Sequence, residues 1–324
     1  MYTVYGVEAS PYSVKLRAIL RYRRIPHRWA VAMPGFTPGF EDVRPPLMPV
    51  LEYPDGTRRT DSTPLALDLE EREPVGRSIL PDDPALAFRA LLIEDMADEW
   101  LTKCLFHYRF SNEADGWFAA RWVMSDALGA NVNDAAVAAF RERQISRMPL
   151  VGCTPENAPL IEASYKRVLA ILEANIARDG YLFGTRPSIA DFALYGQLKT
   201  LGTDPTPMAI MREMAPAVDA WVRRMDDPSG VEGQWRGLDD ISPAVIALTE
   251  MAGEIYLPFL RANASAIDDG KERFTVCIAE TDFSQNVFRY QSKCLSLLRQ
   301  RFGALSGEDK GAVRKLTTGF ETPI

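Results

Sequence analysis

Two histidines, His27 and His107, and four cysteines, Cys104, Cys153, Cys277 and Cys294, are all that this 324-residue chain holds of those residues. No two cysteines form a C-x-x-C pair and no H-E-x-x-H occurs, so the spacing excludes the common zinc sites. A Gly-rich phosphate loop and a G-x-S-x-G elbow are also missing. Cysteine is too sparse for a disulfide scaffold, which fits a reducing compartment. Basic excess is lacking as well: 37 Lys and Arg against 44 Asp and Glu leave a net charge of -7. That balance argues against general electrostatic binding to nucleic acid. No apolar run approaches the ~18 residues of a membrane span. The first eight residues carry no basic region and reach an acid at Glu8, unlike a signal peptide. The expectation is a soluble, cytoplasmic protein with no nucleic-acid or membrane partner and no metal.

What is present is an ordinary globular mixture, 47% hydrophobic and 25% charged. At roughly 150 residues per domain the length predicts about two domains. Tyr2 to Gly6 reads as a short strand. Pro11 then suits the first turn of a helix, where its missing N–H has no partner to lose, and Ser13 to Arg24 continues that helix. Arg17, Arg21 and Arg24 share one stripe of it. Arg28 to Ala32 reads as a second strand, and Pro34 to Pro46 as a loop. Pro49 to Tyr53 and Thr57 to Thr60 flank a Pro-Asp-Gly turn, the pattern of a hairpin. Asp61 and Ser62 precede Pro64 and the run Leu65 to Leu69, which predicts a helix start with capping side chains.

Leu80-Pro81-Asp82-Asp83-Pro84 is a linker, and the chain beyond it reads as helical. Helices are predicted over Ala85–Phe110, Trp117–Leu128, Ala135–Met148, Pro159–Arg178, Phe192–Leu201, Met208–Met225, Pro243–Asn263 and Phe283–Phe302. Arg273 to Ile278 is a candidate short strand. No internal repeat is evident.

Four motifs, in order, carry a resemblance. Ser10-Pro11-Tyr12-Ser13, Met48-Pro49-Val50-Leu51, Asp61-Ser62 and Ser188-Ile189-Ala190-Asp191-Phe192 together resemble the cytosolic glutathione transferase family. The likeness covers about residues 1 to 225. It implies a thioredoxin-like α/β domain over 1–76, a linker over 77–84 and a larger all-α helical-bundle domain over 85–324. Residues from about 235 exceed the usual family length, either covering the substrate pocket or enlarging an interface. The resemblance also implies glutathione as co-substrate, a small hydrophobic electrophile, a role in detoxification and a homodimer.

Residue chemistry agrees with that implication at the first motif. A free thiol has a pKa near 8.5 and attacks as thiolate, and a helix start offers unpaired N–H groups and a positive dipole end. Ser10 is the leading candidate to stabilise the anion, with Ser13, Tyr12 and Tyr5 as alternatives. With serine at both Ser10 and Ser13, disulfide exchange by protein thiols is disfavoured there. The resemblance makes Pro49 cis, letting the backbone of Met48 pair with the tripeptide as an added strand would. Asp61 and Ser62 would hold the γ-glutamyl end through its ammonium and carboxylate. Many family members carry a basic residue where Leu47 stands, so Arg44, Arg58 or Arg59 is left to meet the glycyl carboxylate. Ser188 and Asp191 read as a helix-capping pair. In the densest aromatic stretch, Tyr108 and Trp117 are the candidates for pocket lining. A non-catalytic binding or structural module is the alternative reading. A glutathione-dependent reductase, dehalogenase or ether-cleaving lyase is a third.

Overall fold

The computed structural model describes residues 1–74 and 76–315. The chain opens with β1 (Tyr2–Gly6), α1 (Pro11–Tyr22), β2 (His27–Val31), β3 (Val50–Glu52), β4 (Arg58–Thr60) and α2 (Ser62–Arg72). Helices α3 (Pro84–Met96), α4 (Thr102–Ser111), α5 (Glu113–Leu128), α6 (Asp134–Arg147), α7 (Ala158–Asp179) and α8 (Ile189–Leu201) follow. Next come α9 (Pro205–Met214), α10 (Pro216–Met225), α11 (Pro243–Met251) and α12 (Leu257–Asp268). The hairpin β5 (Arg273–Ile278) and β6 (Thr281–Asn286) precedes α13 (Arg289–Ala304) and α14 (Gly307–Lys315). Two compact units result, and neither is continuous in sequence. The first holds residues 1–79, 108–145 and 192–232; the second holds 80–107, 146–191 and 233–324.

In the first unit the sheet order is β2-β1-β3-β4, with β1 and β2 parallel and the other pairs antiparallel. Alternation along the strands sorts side chains onto two faces. Val4 and Leu51 join Leu16 and Leu20 of α1 and Leu65 and Leu69 of α2 in one core. Tyr5 and Val50 turn to the other face, against Ala32, Phe40 and Val43. Each fully buried Leu or Val contributes about 1.5–3 kcal/mol, so the two helices are held chiefly by this apolar face. Every arginine of the stripe is ion-paired, from the buried Arg17 to the exposed Arg24 just past α1. Arg17 pairs with Glu8 and Asp226, Arg21 with Asp226 and Arg24 with Glu232.

The second unit departs from a purely helical reading. Residues 283–286, expected to begin a helix, form β6 instead. Phe283 and Gln285 share its buried face with a period of two, and a two-residue turn at Ala279–Glu280 closes the hairpin. Both turn residues have positive φ, 48° and 61°, without a glycine to signal it. The helix expected over 208–225 is broken between α9 and α10. Ala215 precedes Pro216 and leaves the helical region, as residues before proline tend to do. The helix expected over 85–110 is interrupted by a wide π-type stretch, Ala97–Leu101.

Pro243–Asp268, expected to be helical over 243–263, is long and apolar enough to cross a membrane by length and composition, against the expectation that no stretch approaches such a span. Its most apolar window is 61% buried, and Val245, Leu248, Phe259 and Leu260 lie in the core of the second unit. That burial marks a core helix.

Candidate functional site

The first motif folds as local chemistry requires. Ser10 is the N-cap of α1, with extended backbone and a side chain that accepts the Ser13 N–H at 3.3 Å. Pro11 fills the first helical position, where no intrahelical partner is lost. Because Ser10 Oγ accepts within the protein, its own proton remains to be donated outward. Ser13 sits deeper. It is fully buried, and a Cβ on Gly6 would meet its Oγ at 2.5 Å, so glycine is required at the end of β1. Its hydroxyl has no hydrogen-bond partner among the described residues. Tyr12 is half-buried on the first turn of α1. Tyr5 faces the other side of the sheet, edge-on to Phe40 with Arg58 over its ring, and its hydroxyl reaches Glu52 at 3.4 Å.

Register brings the second and third motifs to the same end of the sheet. Tyr5 pairs with Val50, and Val50 with Thr60. At that end β1 runs on toward Ser10, Met48 and Pro49 lead into β3, and Asp61 and Ser62 follow β4. The Met48–Pro49 peptide is cis, as expected from the resemblance. The Thr60 hydroxyl donates to the Pro49 carbonyl at 2.9 Å and the Leu47 carbonyl at 3.2 Å, tying the two segments together. Met48's own N–H and C=O make no hydrogen bond among the described residues. Ser62 is the buried first residue of α2. Asp61, expected to cap that helix, makes no capping bond and holds φ at 83°.

The sequence reading misses Lys15. It lies one turn into α1, fully buried, with its ammonium 3.2 Å from the Thr63 hydroxyl on α2. Only the packing of α1 on α2 places a cation there, and no short motif announces it. Gly196 of α8 supports the same turn, since a Cβ there would stand 2.4 Å from the Pro11 carbonyl.

Of the three arginines considered for a ligand carboxylate, two are already engaged. Arg58 pairs with Glu52 at 2.8 Å and Arg59 with Asp68 at 3.3 Å. Arg44 is exposed, donates to the Val43 carbonyl and forms no ion pair among the described residues. The candidate pocket aromatics differ in placement. Tyr108 is 5% exposed, whereas Trp117 is 41% exposed on α5 beneath the Arg141 guanidinium. Ser188 and Asp191 cap α8 reciprocally, with N–H and O–H bonds of 2.9 and 2.7 Å onto the carboxylate.

Family models match both parts of the chain. The glutathione S-transferase N-terminal domain matches residues 4–78 and its C-terminal domain residues 134–224, together more than half of the chain. The chain belongs to the glutathione S-transferase family. Among solved structures, the β-etherase LigF of Sphingobium sp. strain SYK-6 is 20% identical with a TM-score of 0.51, covering 77% of this chain and 99% of its own. A glutathione S-transferase of Methylobacterium radiotolerans, solved with glutathione sulfonate, is 18% identical over 73% of this chain and 96% of its own, at 0.43. A family member from Pseudomonas fluorescens, solved with two glutathione bound, is 17% identical over 76% and 92%, at 0.41. No curated protein matches the chain in sequence. At 20% identity the likeness to the β-etherase is one of fold alone.

Proposed function

We propose that this transferase-family chain binds glutathione at the end of the four-stranded sheet and activates its thiol for attack on a small hydrophobic electrophile. The observation that carries the reading is the register that sets Tyr5, Val50 and Thr60 in one row, so that the N-cap Ser10, the cis Met48–Pro49 peptide and the start of α2 at Ser62 all follow from the same end of the sheet. The unpaired backbone of Met48 offers a donor and an acceptor to the peptide part of the ligand. The start of α2 at Ser62 suits the γ-glutamyl carboxylate, and Asp61 its ammonium. Arg44 is the cation available to the glycyl carboxylate. The Ser10 hydroxyl donates a hydrogen bond to the sulfur, whose charge also gains from the α1 terminus. Once the thiol has released its proton to solvent, the thiolate forms a C–S bond with the electrophile as the leaving group departs with the bonding pair.

A solved neighbour named a β-etherase makes ether cleavage by the same thiolate the second reaction to assay. A homodimer in the cytoplasm is the assembly and location that go with this reading.

Calorimetric titration with glutathione tests binding, and Ser10→Ala tests activation. The variant is expected to bind the tripeptide within a few-fold of the parent while losing about ten- to a hundredfold in turnover, the scale of one or two lost charge-assisted hydrogen bonds. Absence of heat at millimolar glutathione, on folded protein, would sink the enzymatic reading.

A further inference from the structure

The Ala9–Ser10 peptide is gripped at both ends. Its N–H donates to the Val7 carbonyl at 3.1 Å. Its C=O accepts from Arg109 Nη1, also at 3.1 Å. Arg109 comes from the end of α4, a hundred residues along the chain, and is itself held by Asp204. Nε donates to Oδ2 at 2.8 Å and Nη2 to Oδ1 at 3.3 Å, a two-bonded grip on one edge of the guanidinium. Asp204 has no exposed surface and occupies the N-cap of α9, yet its carboxylate makes no capping bond there. The neighbouring Asp115 holds the start of α9 instead, accepting the Thr206 N–H at 2.7 Å and its hydroxyl at 2.5 Å. Arg109 is also buried, and Trp122 lies 5.6 Å from its guanidinium.

The geometry points to Arg109 as a positioning residue for Ser10, with Asp204 holding it in place. A peptide plane bonded at both its carbonyl and its N–H resists rotation, and that plane sets φ of Ser10 and so the direction of its Oγ. The planar guanidinium serves two acceptors on different edges at once, which a lysine ammonium on a flexible stem does less well. The buried pair need not add stability, since desolvation offsets much of the attraction. Its service is orientation. This inference rests on the proposed role of Ser10 in holding the sulfur of glutathione.

The test compares the ultraviolet thiolate absorbance of bound glutathione against pH, and turnover of chlorodinitrobenzene, in four proteins: the parent, Ser10→Ala, Arg109→Lys, and Arg109→Met combined with Asp204→Leu. Arg109→Lys keeps a cation beside the buried carboxylate. The double variant removes both charges together, so the fold is not left with an unpaired one. Both Arg109 proteins are expected to bind glutathione within about threefold of the parent, because Met48, Asp61 and Ser62 are untouched. Both are expected to raise the bound thiol's pKa by about one unit and to lower kcat about tenfold, in the same direction as Ser10→Ala. An unchanged thiol pKa in both, alongside a shift in Ser10→Ala, overturns the role of Arg109 and leaves the functional reading standing. A shift in the Arg109 proteins without one in Ser10→Ala overturns it too, because the guanidinium would then act on sulfur without the serine. A parent that takes up no glutathione overturns the functional reading, and this inference with it.

Discussion

Asp61 holds φ at 83° and ψ at 108°, a region that side-chain-bearing residues enter at a cost of about 1–3 kcal/mol. The adjoining segment holds it there: Thr60 is tied to Leu47 and Pro49, and Ser62 starts α2. Asp61 thus sits at a strained position without capping its helix, and the cost of that backbone is itself measurable. Comparing Asp61→Gly with Asp61→Ala isolates the backbone, because both lose the carboxylate. The glycine variant is expected to be more stable by about 1 kcal/mol in urea unfolding, and both to weaken glutathione binding alike. Equal stability of the two would remove the argument from strain. At this same scale Ser10 and Ser13, identical in sequence, are separated by depth: one caps the helix at its rim, and the other lies beneath Gly6.

At the scale of elements, the seam of α3, the π-type stretch and α4 is the least ordinary feature of the second unit. It lines up Asp95, Glu99 and Lys103 with Tyr256, Gln285, Gln291 and Cys294 from three other elements. Tyr256 donates to Asp95 at 2.7 Å, and Lys103 to the Val151 carbonyl at 2.9 Å and to Gln285. Burial pushes the carboxyl of Asp95 up to about 7 and that of Glu99 up to about 8, with neighbouring acids adding to both. An acid raised in this way binds more protons folded than unfolded, so stability falls as pH rises from about 4 through the folded value and then levels off. Burial lowers Lys103 to about 8, and its contribution runs the other way, rising above that pH. Asp226 in the first unit is held down by Lys199, Tyr195 and Arg17 against its burial, so its contribution is lost on acidification. Asp95→Asn keeps an acceptor for Tyr256 and removes one titration. Thermal melts between about pH 5 and pH 8 are expected to show a shallower decline in Tm for this variant than for the parent. Parallel curves would mean that Asp95 is ionised throughout.

For the whole molecule, residues 233–315 are a structural part of the second unit. Trp100 of the π-type stretch packs against Phe259 and Phe283, with ring centroids 5.3 and 5.2 Å away, and donates to Ser164 at 3.0 Å. Arg89 of α3 donates to the carbonyls of Ala312 and Val313 on α14. A chain cut after Met225 therefore strips Phe259, Phe283 and Phe302 from α3 and the π-type stretch. At about 1.5–3 kcal/mol each, their loss is comparable with the 5–15 kcal/mol of a whole domain. Such a chain is expected to lose cooperative unfolding by near-ultraviolet circular dichroism. A cooperative, soluble product with unchanged stability would show the segment to be a detachable cover.

Much of this was legible from short stretches of sequence. The strand-helix order, the N-cap before Pro11, the hairpin around Pro54-Asp55-Gly56 and the Ser188–Asp191 box all depend on residues within a few positions of one another. Family likeness supplied the cis bond at Pro49, which local preference alone would make trans. The sequence by itself thus determined the family and the order of the first six elements. Tertiary structure alone decided that Arg109 holds the Ala9 carbonyl, that Lys15 lies beside α2, that Arg44 rather than Arg58 or Arg59 is without an ion pair among the described residues, and that the late helices complete a core begun at α3. The reason is distance along the chain: local hydrogen-bonding and steric rules reach about four residues, whereas Arg109 and Ala9 are a hundred apart and meet only once the helices have packed.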